Sequence, residues 1–461
     1  MQASAPPAWL ISSPPRSPGT ARSLSEGCLA RFPQYAGVAE SVEPSLMRRL
    51  YRDDFVRHGA LVFAGTMAGN VGGYLYHFAL SRQLGPESYG ELVSLISLLM
   101  IAGVPAGVVT TVVARYAAEF HARGDRGHLR GLVEWIVRIA VVGGLVVLAV
   151  GTGLTGLIAR YLHLGSPLSV FLALVAAALG FLGPVMRSVL QGCQRFTGFS
   201  GSMALEGLGK AVFGVLAVAI GWGVAGAIGG FAAGSLAGLV LSMALLRSEL
   251  GERNGFSIEP RRLIETTVGV GGSNLALVGL ITVDMVLARH YLPALQAGYY
   301  AAASLIGHSV LYVLGFIPGV VLPKASDLHA RGEDPRGVLH RALLLTGVCS
   351  LAAVAAIALM PTLAVRVVAG AKFLPAASLA LAYGVAMMLL AATSVVVTYR
   401  VSLHRFGYVI PLLVVVGGEM LAMLAWHASA ASFLSILVAA NAVALVVVLV
   451  KVNGNSFGHS T

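Results

Sequence analysis

The sequence predicts an all-α polytopic membrane protein with about twelve transmembrane helices in two homologous six-helix lobes. Three observations support this: long apolar segments without charge, an uneven spread of basic residues between loops, and a phrase that recurs halfway along the chain. Of the 461 residues, 57% are hydrophobic and only 11% are charged, whereas a soluble domain carries about 25% charged residues. This composition is typical of a chain that lies mostly in lipid.

Nine windows between residues 60 and 399 contain no Asp, Glu, Lys or Arg. A helix needs about 20 mainly apolar residues to cross the hydrocarbon core. The longest window, 211–246, is interrupted by Gly221-Trp222-Gly223, which predicts a tight turn between two helices. The predicted crossings are 60–80, 92–113, 134–157, 168–188, 203–220, 224–246, 264–288, 298–321, 340–361, 376–398, 408–428 and 431–450.

The basic residues fall mostly on one side of this arrangement. With both termini in the cytoplasm, 24 Lys and Arg residues lie in the tails and inner loops and five lie in the outer loops. Cytoplasmic loops of membrane proteins carry such an excess of positive charge. The net charge of +11 is therefore explained by membrane topology, and no nucleic-acid partner is expected.

The domain organisation follows from the crossings. We expect a disordered cytoplasmic tail over 1–58, a first lobe over 59–247, a linker over 248–262, a second lobe over 263–451 and a tail over 452–461. Residues 1–46 are rich in Pro, Ser and Ala and lack the apolar core of a signal peptide, and Met47 offers an alternative start. Three widely separated cysteines predict neither a disulfide framework nor a metal site.

A charged phrase repeats at a distance of 208 residues. "HARGD" at 121–125 recurs as "HARGE" at 329–333, and the same shift places Gly90 on Gly298. A two-residue slip then places Arg126-Gly127 on Arg336-Gly337. Because six crossings are an even number, two tandem copies have the same orientation and are related by an axis along the membrane normal. Duplicated halves of this kind are a transporter architecture with the substrate site between them.

Four segments carry a family resemblance: "LSRQLGPESYGELVSLISLL" (80–99), "VVARYAAEFHARGD" (112–125), "LQGCQRFTGF" (190–199) and "VDMVLARHYLPALQAGYYAAASLIG" (283–307). They resemble the polysaccharide-export branch of the multidrug/oligosaccharidyl-lipid/polysaccharide flippase superfamily. Many members of that branch have fourteen crossings, whereas twelve are predicted here.

The resemblance implies a function and a set of partners. It implies a protein of the bacterial inner membrane that moves a lipid-linked oligosaccharide or polysaccharide precursor between leaflets by alternating access. The implied partners are a polyprenyl-pyrophosphate-linked saccharide, membrane lipids, H⁺ or Na⁺ as coupling ion, and other membrane proteins of polysaccharide assembly.

Ionisable residues inside the first lobe are candidates for the substrate cavity, because such residues are costly in a membrane and often mark pathways. Glu206 and Lys210 lie four residues apart on one helix face, and Glu134 and Arg138 repeat that spacing. With Arg187 they predict a basic site for the pyrophosphate, whose oxygens guanidinium and ammonium groups bind strongly. The alternative is that each pair neutralises itself and that Arg138 and Arg187 extend to the membrane surface.

A polar stripe on the first crossing, formed by Asn70, Tyr74 and His77, is also predicted to line the cavity. In the second lobe, Asp284 and Glu419 are the candidates for ion coupling. For Asp284 the alternative is an ion pair with the nearby Arg289.

The sequence gives no indication of an enzyme, a cofactor or a catalytic metal. The segment "GLGKA" at 207–211 lacks the glycine and the hydroxyl residue of a P-loop. A polysaccharide polymerase or ligase would need a large outer loop, and none is predicted. The alternative function is an ion-coupled multidrug or metabolite antiporter of the same superfamily.

Overall fold

The computed structural model describes residues 44–252 and 260–453, and these are helical apart from short turns. Thirteen α-helices occur there, with short 3₁₀ helices at Arg247–Glu249 and Ala371–Ala376. The α-helices are α1 (Pro44–Ala122), α2 (Arg126–Tyr161), α3 (Pro167–Gly192), α4 (Phe196–Ala219), α5 (Gly223–Leu246), α6 (Pro260–Tyr291), α7 (Ala294–Leu314), α8 (Phe316–Ala330), α9 (Arg336–Leu359), α10 (Pro361–Val368), α11 (Ala377–Ser402), α12 (Val409–Ala425) and α13 (Ala430–Asn453).

Within the described residues, ten stretches are long and apolar enough to cross a membrane. The first of them, Leu61–Ala122, is 62 residues long and is interrupted at Gly85, whose φ of 75° is not helical. It therefore holds two crossings. Helix α12 is a shorter apolar helix of 17 residues. Together these give the predicted twelve crossings.

Part of the predicted N-terminal tail is helical. Helix α1 already begins at Pro44, so residues 44–58 are helical, whereas the remainder of the predicted tail, 1–43, lies outside the described residues. Proline is well tolerated in the first turn of a helix, and no further proline or glycine follows until Gly59. Most of the predicted linker (253–259) and C-terminal tail (454–461) also lie outside the described residues.

The repeated phrase forms the same turn twice. After α1, Gly124 has a φ of 67° and donates its N–H to the His121 carbonyl, and after α8, Gly332 has a φ of 74° and donates to His329. Glycine adopts this left-handed conformation without strain. After the first of these turns, Asp125 accepts the backbone N–H of His128, which lowers the pKa of the Asp125 carboxyl.

A second turn is also duplicated, and it fixes the alignment of the halves at a shift of 210. Gln194 after α3 and His404 after α11 both adopt positive φ, at 58° and 54°. Each is followed by an arginine, Arg195 or Arg405, whose backbone N–H closes back onto the preceding helix. The two halves of the chain therefore repeat in backbone conformation as well as in sequence.

The halves meet near the predicted symmetry axis. The equivalent residues Gly90 and Gly298 lie against each other, and a β-carbon added at Gly90 would be 3.1 Å from the Gly298 nitrogen. This contact lies at one end of the helix bundle, here called the closed end, which also contains Gly85, Leu162, Arg289 and the Ala371–Ala376 helix. The opposite end, here called the basic end, contains the repeated turns after α1, α3, α8 and α11.

Candidate functional site

In the first half, three charged side chains form a cluster between α3 and α4. The Arg187 guanidinium is ion-paired with one Glu206 carboxylate oxygen, and Lys210 Nζ donates to the other oxygen at 2.6 Å. The side chains of Arg187, Glu206 and Lys210 are only 10%, 14% and 16% exposed. Two cations share one carboxylate, so the cluster as a whole carries positive charge.

Glycines on α5 make room for this cluster. A β-carbon added at Gly234 would collide with the Lys210 backbone nitrogen, and one added at Gly238 would be 2.9 Å from Glu206 Cβ. The Lys210 ammonium also lies 3.9 Å from the centre of the Phe231 ring, a favourable cation–π distance. The four-residue glycine spacing of α5 thus allows the helices to approach closely and holds Glu206 and Lys210 in place.

The predicted pair of Glu134 with Arg138 is wrong. Glu134 accepts instead from Arg130, one turn earlier, at 2.8 Å, and Arg138 is exposed. Arg138 therefore lies apart from the cluster that Arg187 joins.

The three residues of the predicted polar stripe on the first crossing differ in their burial and in their partners. His77 Nδ1 lies 3.1 Å from the hydroxyl of Tyr89 on the second crossing, a partner that the sequence did not indicate. Tyr74 is half-buried and Asn70 is exposed. Of the three predicted residues, only His77 has a described hydrogen-bond partner on another crossing.

Asp284, in α6 of the second half, is bonded by two tyrosines. The hydroxyls of Tyr300 and Tyr383 donate to Asp284 Oδ2 at 2.8 and 2.7 Å, and Asp284 is 1% exposed. The alternative pairing with Arg289 is wrong, because Arg289 binds elsewhere. The tyrosines could not be identified from local sequence pattern, since Tyr383 is 99 residues away along the chain.

Glu419 lies in the same region without a polar partner. It is 3% exposed, and within the described residues neither of its carboxylate oxygens accepts a hydrogen bond. It is close enough to Asp284, Tyr300 and Tyr383 to interact electrostatically with each. Its helix α12 packs against α6, which carries Asp284.

Two further buried oxygens are also unpaired. Asp284 Oδ1 and Asn441 Oδ1 have no hydrogen-bond partner in the part of the chain that the structure describes. Asn441 lies on α13, which packs against both α12 and α6. With both Glu419 oxygens, these helices bury four unpaired acceptor oxygens, a composition suited to a proton or a hard cation.

The two clusters are not repeated between the halves. With the shift of 210, the positions of Arg187, Glu206 and Lys210 correspond in the second half to Val397, Val416 and Met420. With the shift of 208, Asp284 corresponds to Tyr76 of the first half, and with the shift of 210, Glu419 corresponds to Gly209. One half therefore carries a basic cluster and the other an acidic one.

Arg289 joins the two halves at the closed end. It is 4% exposed and donates to the carbonyls of Leu162 and His163 at 2.9 and 2.8 Å. It also donates to the Glu91 carboxylate at 3.1 Å. All three partners belong to the first half, whereas Arg289 belongs to the second.

Further contacts support the closed end. Arg82 donates to the carbonyls of Val367 and Val368, at 2.5 and 3.0 Å, and thereby caps the C-terminal end of α10. The rings of Tyr161 and His290 stack with centroids 3.9 Å apart. The halves are thus held together at this end by hydrogen bonds, an ion pair and ring stacking.

Comparison with solved structures shows the same fold. A structure described as the inward-facing conformation of a multidrug resistance MATE family transporter of the MOP superfamily matches with a TM-score of 0.70 and 14% identity, over 84% of this chain and 94% of that chain. Lipid II flippase MurJ in an inward closed conformation matches with a TM-score of 0.65 and 14% identity, over 86% of this chain and 87% of that chain.

An outward-facing MATE family transporter of the MOP superfamily gives a TM-score of 0.60 at 15% identity, over 86% of this chain and 95% of that chain. The chain therefore shares the fold of these structures, and the protein is a multi-pass membrane protein. A search of curated protein sequences found no match. The sequence profile described as polysaccharide biosynthesis protein matches residues 55–329, more than half of the chain, and the protein belongs to that family.

Proposed function

We propose that the protein flips a lipid-linked oligosaccharide or polysaccharide precursor across the bacterial inner membrane. In this proposal it is a transporter without catalytic chemistry, and the two halves give alternating access to a central cavity. The observation that carries the proposal is the buried Arg187–Glu206–Lys210 cluster, in a chain that belongs to a polysaccharide biosynthesis family. The lipid carrier is a polyprenyl pyrophosphate.

The cluster suits a pyrophosphate because its positive charge is only partly compensated. Glu206 holds both cations in place, and the surplus positive charge stays available for phosphate oxygens. Charges attract more strongly in a site of low dielectric than in water, and Arg187 is nine-tenths buried. A diphosphate would add hydrogen bonds to the guanidinium and the ammonium without having to remove Glu206.

The positive-inside rule places the basic end and both termini in the cytoplasm. Arg187 lies five residues before the end of α3 at Gly192, on the side of the basic end. In this orientation the contacts of Arg289 close the outer side, and the lipid-linked substrate enters from the cytoplasmic leaflet.

Asp284 and Glu419 would supply the coupling site for H⁺ or Na⁺. A buried carboxylate without a partner is costly inside a membrane, and binding a proton or a sodium ion removes that cost. An ion gradient could then bias the two conformations, because the site binds the ion differently in each.

The acidic cluster also bears on the alternative of a cationic-drug antiporter. Such a protein needs carboxylates that a bulky cation can reach, and Asp284 and Glu419 are only 1% and 3% exposed. A small ion fits this burial better than a drug. The more accessible charged cluster is the basic one, which favours an anionic substrate.

The experiment is a gene deletion followed by complementation. We expect loss of surface polysaccharide and accumulation of polyprenyl-linked precursor in the inner membrane, both reversed by the parent gene. Lys210→Ala should fail to complement, whereas the matched control Arg138→Ala, which changes an exposed cation outside the cluster, should complement.

Two results would contradict these assignments. Unchanged polymer together with new sensitivity to cationic dyes would support the antiporter instead. Normal flipping by both Lys210→Ala and Asp284→Asn would refute the two sites while leaving the family unaffected.

A further inference from the structure

The second half contains a cavity of about 380 Å³ at the basic end. It lies between α6, α8 and α11 and is bounded by the turn that follows α11. Asn274, one of its lining residues, also contacts the first half, since a β-carbon added at Gly107 would be 3.2 Å from Asn274 Nδ2. The cavity therefore borders the interface between the halves.

The walls carry hydrogen-bonding groups but almost no charge. Asn274, Ser326 and Thr398 supply an amide and two hydroxyls, His404 and Phe406 supply two rings, and the other walls are mainly Val and Leu. Among the described residues that line it, none is Asp, Glu, Lys or Arg. Within the described residues, the side chains of Asn274 and Thr398 form no hydrogen bond, so both remain available to a ligand.

This chemistry selects the class of ligand. A charged group would lose its hydration without a counter-charge, and a purely hydrocarbon chain would leave the amide and hydroxyls unsatisfied. A sugar unit matches both features, because its hydroxyls can bond the polar groups while its C–H faces pack on Phe406 and the aliphatic walls. The volume lies at the lower end of the usual range for small-molecule sites.

Two corresponding positions of the first half are tightly packed. Two lining residues, Ser273 and Ser402, correspond to Gly65 and Gly192. A β-carbon added at Gly65 would collide with Ser200, and one added at Gly192 would be 2.5 and 2.6 Å from atoms of Ala114 and Ala117. The duplicated positions thus form close helix contacts in one half and a polar cavity in the other.

We propose that this cavity is a saccharide subsite that binds a neutral sugar unit of the transported precursor. The inference rests on the proposed function and extends it, since the diphosphate binds the basic cluster of the first half and the sugar binds the second half. One substrate would then contact both halves. Because the halves move relative to each other, such a substrate would interact differently with the open and the closed conformation. A ligand can shift a conformational equilibrium only if its affinity for the two conformations differs.

The test measures binding of free glucose, N-acetylglucosamine and maltose to the purified full-length protein by saturation-transfer NMR, in a detergent without a sugar head group. Thr398→Val removes a hydroxyl at nearly constant volume, and Thr398→Leu also fills part of the cavity. Ser188→Ala is the matched control, because Ser188 occupies the corresponding position of the first half.

We expect the parent and Ser188→Ala to bind at least one of the saccharides. Thr398→Val should bind about tenfold more weakly, as expected for one lost hydrogen bond, and Thr398→Leu should show no transfer. Absence of transfer to the parent, or equal binding by Thr398→Leu, would overturn the subsite. The complementation assay separates the two ideas, because flipping by the parent without saccharide binding refutes only the subsite, and binding without flipping refutes the proposed function.

Discussion

Two buried carboxyl groups of the second half differ in their hydrogen bonds. Asp284 Oδ2 accepts two tyrosine hydroxyls, which offset part of the cost of burying a charge. Glu419 has no such donors in the described part of the chain. A carboxyl group at such an unfavourable position is costly to bury, which supports the proposed ion site.

Replacing Glu419 should therefore separate stability from transport. We expect Glu419→Met to raise the free energy of unfolding by about 1–3 kcal/mol, the usual cost of a buried unsatisfied polar group, and to abolish ion-dependent flipping. Thermal melting in detergent and transport in proteoliposomes would measure the two effects. A Glu419→Met protein that is less stable than the parent would contradict the view that Glu419 lacks a partner.

The tyrosines around Asp284 give a second prediction at the residue scale. Tyr383→Phe removes one donor to Asp284 Oδ2 and should change the ion concentration for half-maximal transport by about tenfold, because hydrogen bonds to charged groups contribute about 1.5–3 kcal/mol. Tyr299→Phe is the control, since Tyr299 is next to Tyr300 and makes no described hydrogen bond to Asp284. Equal ion dependence of both variants would contradict a role for Tyr383.

At the scale of the helices, the close contact between α4 and α5 depends on two glycines of α5, one helical turn apart. A β-carbon added at Gly230 would collide with Gly214, and one at Gly234 would collide with the Lys210 backbone. The collisions involve backbone atoms, which cannot rotate away as a flexible side chain can. The close approach of these helices thus fixes the position of the Lys210 backbone within the first half.

Gly234→Val should consequently disturb both the packing and the basic cluster. Overpacking a close contact typically costs about 1–3 kcal/mol, so we expect a lower melting temperature and weaker complementation. Gly201→Ala on α4 is the control, because a β-carbon there meets nothing within 4 Å. If Gly234→Val melts and complements like Gly201→Ala, the contact is looser than the structure shows.

For the whole molecule, the proposed alternating access requires the closed end to separate. Arg289 donates hydrogen bonds to the first half through Leu162, His163 and Glu91, and these must break when that end opens. The contact between Gly90 and Gly298 must also change, although it involves no polar side chain. The arginine is thus the principal polar connection that stabilises the closed arrangement at this end.

Removing that connection should open the closed end. We expect Arg289→Gln to increase labelling of a buried reporter, Ala297→Cys, by a membrane-impermeant maleimide applied from outside. The increase should be about tenfold if the closed conformation loses about 1.4 kcal/mol. Arg366→Gln is the control because Arg366 is exposed at the same end, and equal labelling of both variants would exclude Arg289 as a stabilising contact.

The sequence by itself determined the membrane class, the twelve crossings and the duplication. These features follow from apolar length, charge asymmetry and repetition along the chain, and none of them depends on which helices pack together. The bond between Glu206 and Lys210 was also predictable, because four residues are about one helical turn.

Only the tertiary structure decided the remaining partners. Arg187 joins Glu206 from another helix, Tyr383 reaches Asp284 across 99 residues, and Arg289 binds the opposite half rather than the nearby Asp284. Helix packing sets these contacts, and it depends on side-chain shape along whole helices rather than on spacing in the sequence. The same packing places Ser273 and Ser402 in the wall of a cavity in the second half, whereas the corresponding Gly65 and Gly192 of the first half lie in close helix contacts.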